Sequence, residues 1–255
     1  MRPIKISVVV VAFLVVTVAA SAFIKSRNPN KKIIDAKGFA VVELFTSEGC
    51  SSCPPADELV AKIQKENKDK PVYILAYHVD YWNRLGWKDV FSSADFSKRQ
   101  NDYANYLHLQ SVYTPQVIVN GKTEFVGSAE GTLRNAIKAG LEKQPAAQLT
   151  LTDLKTDQNQ ASLKYTTEGA DKNTILLVAV LEKSAQTKVE RGENGGRTLS
   201  HVQIVRKLQP VTLKGNSGIA NVSLPHGFDT KSWEIIGFLQ NKSNGAVIGA
   251  ARVAL

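Results

Sequence analysis

The chain has 255 residues, 43% apolar and 22% charged, which excludes a disordered or fibrous protein and leaves room for two ordinary domains. Its formal charge of +9 is spread thinly along the chain, without a basic run or an aromatic-studded basic patch, which argues against nucleic-acid binding. No Gly-x-Ser-x-Gly elbow, phosphate loop, paired-cysteine zinc site or His-Glu-x-x-His pattern occurs, which disfavours hydrolases, nucleotide enzymes and zinc proteases.

The first residues read as a targeting segment. Arg2 and Lys5 are basic, residues 6–18 are almost wholly apolar, and Ala20-Ser21-Ala22 has the small-x-small form of a signal-peptidase site. Cleavage after Ala22 is the first reading; an uncleaved membrane anchor running to about residue 24 is the alternative. Either way the remainder is expected on the far side of the membrane, in the periplasm or outside the cell. Without residues 1–22, which hold two cations and no acid, the charge is +7. Residues 23–38, with Asn28-Pro29-Asn30, read as a linker.

Residues 39–46 are rich in β-formers and lead straight into Ser47-Glu48-Gly49-Cys50-Ser51-Ser52-Cys53-Pro54-Pro55, after which 56–67 has helical periodicity. A second buried strand is expected over 71–79. A helix follows over 92–108, with Phe96, Tyr103 and Leu107 on one face. Residues 115–119 and 122–126 flank Asn120-Gly121, a strong hairpin signal, and Ser128 is placed to cap a helix reaching about residue 143. The order β-α-β-α-β-β-α over 39–145 is the thioredoxin arrangement. Beyond Pro145 the pattern turns to alternation over 148–155, 162–166, 174–181, 202–213, 219–224, 233–240 and 246–253. These seven strands suggest a β-sandwich, so the fold expected is an α/β thioredoxin-like domain (39–145) followed by an all-β, sandwich-like domain (146–255).

Cys50 and Cys53 are the only cysteines, and a loop that short removes too little chain entropy to staple a fold. In an exported protein this spacing points to redox chemistry. At the amino end of a helix the open N–H groups and the dipole favour a thiolate, so Cys50 is the expected nucleophile and Cys53 the residue that resolves the mixed disulfide. Pro54 disfavours helical geometry at Cys53, which points to a later helix start, although prolines are tolerated in a first turn. Tyr113-Thr114-Pro115-Gln116 precedes the third strand. In thioredoxin-like folds a cis-proline there lies against the cysteine pair, and the backbone of the residue before it, here Thr114, pairs with a substrate strand.

The run Glu43-Leu44-Phe45-Thr46-Ser47-Glu48-Gly49-Cys50-Ser51-Ser52-Cys53-Pro54-Pro55-Ala56-Asp57, with His78-Val79-Asp80-Tyr81-Trp82, Leu85-Gly86-Trp87, Tyr113-Thr114-Pro115-Gln116 and Arg191-Gly192-Glu193-Asn194-Gly195-Gly196-Arg197-Thr198-Leu199-Ser200-His201, resembles the exported bacterial thioredoxin-like family catalogued as domain of unknown function 1223. The resemblance covers most of the chain after residue 38 and implies the fold and export, without a substrate.

Further candidates carry ordinary structural explanations beside the functional ones. Glu43, on the first strand with Val41 and Phe45, is placed to accept a proton beneath the cysteine pair, or is a solvated edge residue. His78 and Asp80 close the second strand, where they would tune the thiolate or bind a metal, or simply pack. Tyr81, Trp82 and Trp87 in the loop that follows are core residues or the wall of a groove for unfolded protein. Arg197 and His201 fall by a Gly-rich turn and matter only if it folds over the cysteines.

The leading function is a thiol–disulfide oxidoreductase of the cell envelope acting on proteins that bear thiols or disulfides, with no cofactor, no resident metal and no nucleic acid. Membrane contact is expected only through an uncleaved amino-terminal segment. The alternatives are a binding or assembly protein with a non-catalytic disulfide, and a copper-handling protein using Cys50, Cys53 and His78.

Overall fold

A computed structural model describes residues 38–253, and every structural statement refers to these. The expected targeting segment, and the linker apart from Gly38, lie outside them. No helix among the described residues is long and apolar enough to cross a membrane.

Strand β1 (Ala40–Thr46) is buried along its whole length, as its run of Val, Leu and Phe dictates. It pairs in parallel with β2 (Val72–His78) and antiparallel with β3 (Gln116–Val119). The helix between β1 and β2, α1 (Pro54–Glu66), starts at the first proline, earlier than the periodicity suggests. Helix α2 (Ala94–Leu107) begins where Ser93 accepts the Asp95 N–H. Strand β4 (Thr123–Val126) returns from β3 through Asn120-Gly121, whose φ angles of 52° and 64° are those an Asn-Gly turn of this hand requires. Helix α3 (Glu130–Glu142) is not capped by Ser128. Ala129 holds the N-cap place, and the turn out of β4 is closed by backbone bonds instead.

Side-chain alternation along β1 sorts the helices. Ala40, Val42 and Leu44 pack with Ala56, Leu59 and Val60 of α1 and with Leu133 and Ile137 of α3. Val41 and Phe45 pack on the other face with Phe96 and Tyr103 of α2.

All seven strands expected beyond Pro145 form: β5 (Gln148–Asp157), β6 (Gln160–Glu168), β7 (Thr174–Lys188), β8 (Thr198–Val211), β9 (Ser217–Ser223), β10 (Trp233–Asn241) and β11 (Val247–Arg252). Their arrangement differs from a separate sandwich. One eight-stranded mixed sheet has the order β11-β10-β7-β8-β2-β1-β3-β4, and only β5-β6-β9 form a second sheet. Strand β8 lies beside β2, joined at the parallel pair Ala76–Ile204. The reason is an edge: with β1 on one side only, β2 would present unpaired backbone groups, and β8 covers it. The sandwich survives as packing of Leu149, Leu163, Tyr165 and Val222 of the small sheet against Val178, Val180 and Ile235 of the large one.

Polar bonds tie the same parts together. The Glu43 carboxylate of β1 accepts from Arg99 Nε (2.6 Å) and Nη2 (2.9 Å) of α2 and from the Tyr103 hydroxyl. Gln240 of β10 donates to that hydroxyl (2.9 Å) and accepts from Arg99 Nη1 (3.3 Å). Arg99→Leu strands a buried carboxylate and is expected to cost about 3–5 kcal/mol in denaturant unfolding, most of it recovered by adding Glu43→Leu.

Candidate active site

The turn after β1 winds directly into α1. Cys50 N–H bonds to Ser47 O and Cys53 N–H to Cys50 O, both at 3.2 Å, and Cys53 O then accepts from Ala56 (2.8 Å) and Asp57 (3.2 Å). Cys53 is therefore the N-cap residue, with helical φ and ψ, and Pro54 and Pro55 fill positions whose N–H groups would have no partner anyway. Cys50 and Cys53 are joined as a disulfide, and Ser52 Oγ lies 3.4 Å from Cys50 Sγ.

Both cysteines are 0% exposed, although Ser51 and Ser52 between them are open to solvent. The cover includes the turn between β7 and β8. The Asn194 side-chain amide, itself fully buried, donates to the carbonyls of Glu48 and Cys50, each at 2.9 Å. The Glu193 carboxylate accepts the Ser51 N–H at 2.9 Å, and its hydrogen bonds with Ser51 hold its pKa below the usual value. Arg197 Nη1 donates to Asn194 Oδ1 at 2.8 Å, which orients the amide. Gly192, at φ +77°, supplies the left-handed backbone this turn takes, and Trp87 lies beside it in ordinary contact range.

Trp82 closes another side. A Cβ on Gly49 would meet Trp82 Cβ at 3.0 Å, so Trp82 lies close against the cysteine turn, and a larger residue there would push the two apart by a few tenths of an ångström. Trp82 Nε1 donates to Thr114 Oγ1 at 2.8 Å, and the Thr114–Pro115 bond is cis. A Cβ on Gly127 would touch Pro115 Cβ and Ala56 Cβ, each at 3.1 Å, so the cis-proline and the first turn of α1 close on the same glycine.

Beside the cysteine turn lies a buried ionisable cluster. Glu48 donates its N–H to Asp89 Oδ2 (2.9 Å) and accepts from Trp87 Nε1 (2.7 Å) through Oε2. Its Oε1 is 3.4 Å from His201 Nε2, and the other His201 nitrogen is 3.8 Å from Asp57 Oδ1. Asp57 Oδ2 accepts from Thr46 Oγ1 at 3.0 Å. His78 Nδ1 lies 2.7 Å from Asp89 Oδ2, and the two imidazoles meet edge to face with centroids 4.7 Å apart. Burial opposes protonation of His201, but Asp57 and Glu48 outweigh it and push its pKa up to about 9. Burial would raise the Asp89 pKa, but His78 and the backbone N–H groups of Glu48 and Phe91 overcome it and hold the carboxyl below its usual value.

The structure thus brings Cys50, Cys53, Thr114, Pro115, Trp82 and Trp87 together, with His78, Arg197 and His201 around them. Glu43 is not among them. It faces α2, on the opposite side of the sheet from α1, where Arg99 and Tyr103 occupy it, so it cannot serve beneath the disulfide. Asp80 is held by Ser97 of α2, and Tyr81 donates its hydroxyl to Gln100. Glu48, Asp57, Asp89, Glu193 and Asn194 were not singled out from the sequence. Asp57 had a signal, since four residues after Cys53 it must share its face of the helix. Among the described residues no group of three or more His, Cys, Asp or Glu side chains is arranged to hold a metal ion.

Residues 41–240 match the profile of the family described as "Protein of unknown function (DUF1223)". The chain is similar to the crystal structure of a structural-genomics target from Agrobacterium tumefaciens, at 29% identity over 85% of this chain and 95% of that one, with a TM-score of 0.66. A domain of the outer membrane lipoprotein Omp28 from Porphyromonas gingivalis matches 44% of this chain and 90% of its own at 13% identity, but its TM-score of 0.26 carries no argument. No curated protein matches.

Asn194→Ala is expected to speed reduction of the disulfide by dithiothreitol about tenfold, the equivalent of one or two hydrogen bonds of roughly 1 kcal/mol each; alkylation of the released thiols followed by mass measurement reads the rate. The raised His201 pKa adds about 3 kcal/mol of stability, fully present below about pH 6.5 and lost as pH rises through about 9, and His201→Gln should flatten that loss in denaturant unfolding.

Proposed function

The chain belongs to the DUF1223 family, and from the geometry of its site we propose that it is an exported thiol–disulfide oxidoreductase of the cell envelope. Its catalytic core in this reading is thioredoxin-like, built from β1–β4 and α1–α3, and its substrates are proteins bearing thiols or disulfides. The observation that carries the reading is the Cys50–Cys53 disulfide at the amino end of α1, with the cis Thr114–Pro115 bond tied to that turn through Trp82, which bonds Thr114 and lies against Gly49. The signal-like residues 1–22 support export.

The chemistry needs no cofactor. A partner thiolate attacks Cys50 Sγ, the Cys50–Cys53 bond breaks, and its electron pair leaves on Cys53 Sγ as a mixed disulfide forms. A second partner thiolate attacks the partner sulfur of that mixed disulfide and releases Cys50 as thiolate, so the partner is oxidised and the pair reduced. Run backwards, the same steps reduce a partner disulfide. The dipole of α1 favours Cys50 thiolate in both directions, although its first two residues are prolines without N–H groups, and an extended partner segment pairs with the backbone of Thr114.

Complete burial of both sulfurs favours a second reading, a binding or assembly protein with a permanent disulfide. The reduction potential separates the two. A value between roughly −120 and −270 mV, measured in glutathione buffers, is expected for an exchange catalyst, and one below about −300 mV for a resistant structural bond. Cys53→Ser is expected to trap partners in mixed disulfides through Cys50, visible as adducts lost on reduction; Cys50→Ser should trap none through that sulfur.

A further inference from the structure

Two carboxylates flank the cysteine pair in the fold, and one histidine from the second half of the chain stands between them. Asp57 follows Cys53 by four residues, and its N–H bonds to Cys53 O at 3.2 Å, so the two side chains sit one above the other on one buried face of α1. His201 reaches Asp57 with one ring nitrogen (3.8 Å) and Glu48 with the other (3.4 Å). Both nitrogens are buried without a hydrogen-bond partner among the described residues, as is Glu48 Oε1. Structural histidines are ordinarily fixed by a hydrogen bond, as His78 is by Asp89. His201 also borders a cavity of about 190 Å³, shared with Pro54, Asp57 and Glu58 of α1 and with Arg197. Glu58 and Arg197 are exposed, which connects the cavity to solvent.

We propose that His201 is a positioning residue for the thiol–disulfide exchange proposed above, relaying a proton between that cavity and Cys53 through the Asp57 carboxylate. The inference rests on that reading and deepens it. When the disulfide is attacked at Cys50, Cys53 leaves as a thiolate. The His201 imidazolium gives its proton to Asp57, Asp57 passes one to Cys53 Sγ, and His201 is reprotonated from the cavity. In the opposite direction the proton of the Cys53 thiol leaves by the same route, freeing the thiolate that resolves a mixed disulfide. The ionisable groups that face His201 are Glu48, Asp57 and Glu58 from the turn and α1, His78 at the end of β2 with Asp89 from the loop beyond it, and Arg197 from its own hairpin. With a raised pKa, His201 is charged at neutral pH and able to donate.

The test is reduction of the Cys50–Cys53 disulfide in the full chain by dithiothreitol from about pH 6 to pH 10, with rates divided by the reagent's thiolate fraction. The wild type should hold a plateau and then slow through about pH 9, while His201→Asn and Asp57→Asn lose about a hundredfold on the plateau and that limb with it. Asp57→Glu, which keeps a carboxylate, should recover most of the rate. A merely structural His201 would shift stability without an alkaline limb in the wild-type profile. The relay is overturned if folded His201→Asn and Asp57→Asn react within about twofold of wild type at every pH. Should those variants not fold, a wild-type profile with no limb, together with no slowing in heavy water, overturns it instead. A reduction potential below about −300 mV would sink the exchange function whatever the pH profile, so the two failures are distinguishable.

Discussion

Four carboxylates, those of Glu43, Glu48, Asp57 and Asp89, are buried along β1, the cysteine turn, the start of α1 and the loop beyond β2, and a buried charge must be met by a partner or it unfolds the protein. Much of the architecture follows from how the partners are supplied. Glu43 is met by Arg99 and Tyr103 of α2, which Gln240 of β10 then holds. Asp89 is met by His78 and by backbone N–H groups. Glu48 and Asp57 accept hydrogen bonds from Trp87 and Thr46, and both face the imidazole of His201, at 3.4 and 3.8 Å, which arrives on β8 from the second half of the chain. The second half is therefore not an appendage: it completes the sheet at β2 and neutralises the surroundings of the disulfide.

The same docking sets the accessibility of the cysteines. A thiol–disulfide exchange catalyst needs an exposed attacking sulfur, yet Cys50 lies beneath Asn194, whose amide takes the carbonyls on either side of Gly49. Glu193 occupies an N–H of the turn that would otherwise be open to a thiolate or a partner. The cover is thin: Arg191, Gly192, Glu193, Gly195, Gly196 and Arg197 are all exposed, and two of the glycines have positive φ. Few apolar contacts hold such a turn, which places it at the low-stability end of the structure. Leu85 and Val90 stand open on the neighbouring loop, at 46% and 61% exposure.

Strand and helix positions were legible because they rest on local periodicity. The burial of β1, the Asn-Gly hairpin, the cysteines at the start of α1 and all seven later strands follow from alternation, turn residues and helix-end chemistry within a few residues of each. Ser128 shows where local rules stop, since backbone closure of the turn after β4 removed the need for its side chain. Glu43 fails for a related reason. Alternation places it with Val41 and Phe45, but which helix covers that face is a matter of packing.

What the sequence by itself determined is the cysteine pair on a helix end, the proline before β3, and the order of the elements, because each depends on neighbours within a turn or a strand. Only the tertiary structure decided that β8 completes the first sheet, that Asn194 covers Cys50, and that His201 rather than Glu43 stands by the disulfide. Those contacts join residues about 140 positions apart, as Asn194 and Cys50 are, and rest on matching a buried donor or charge to whatever unpaired group lies opposite. No local pattern encodes such a match, since it exists only once the edge of β2 has been closed.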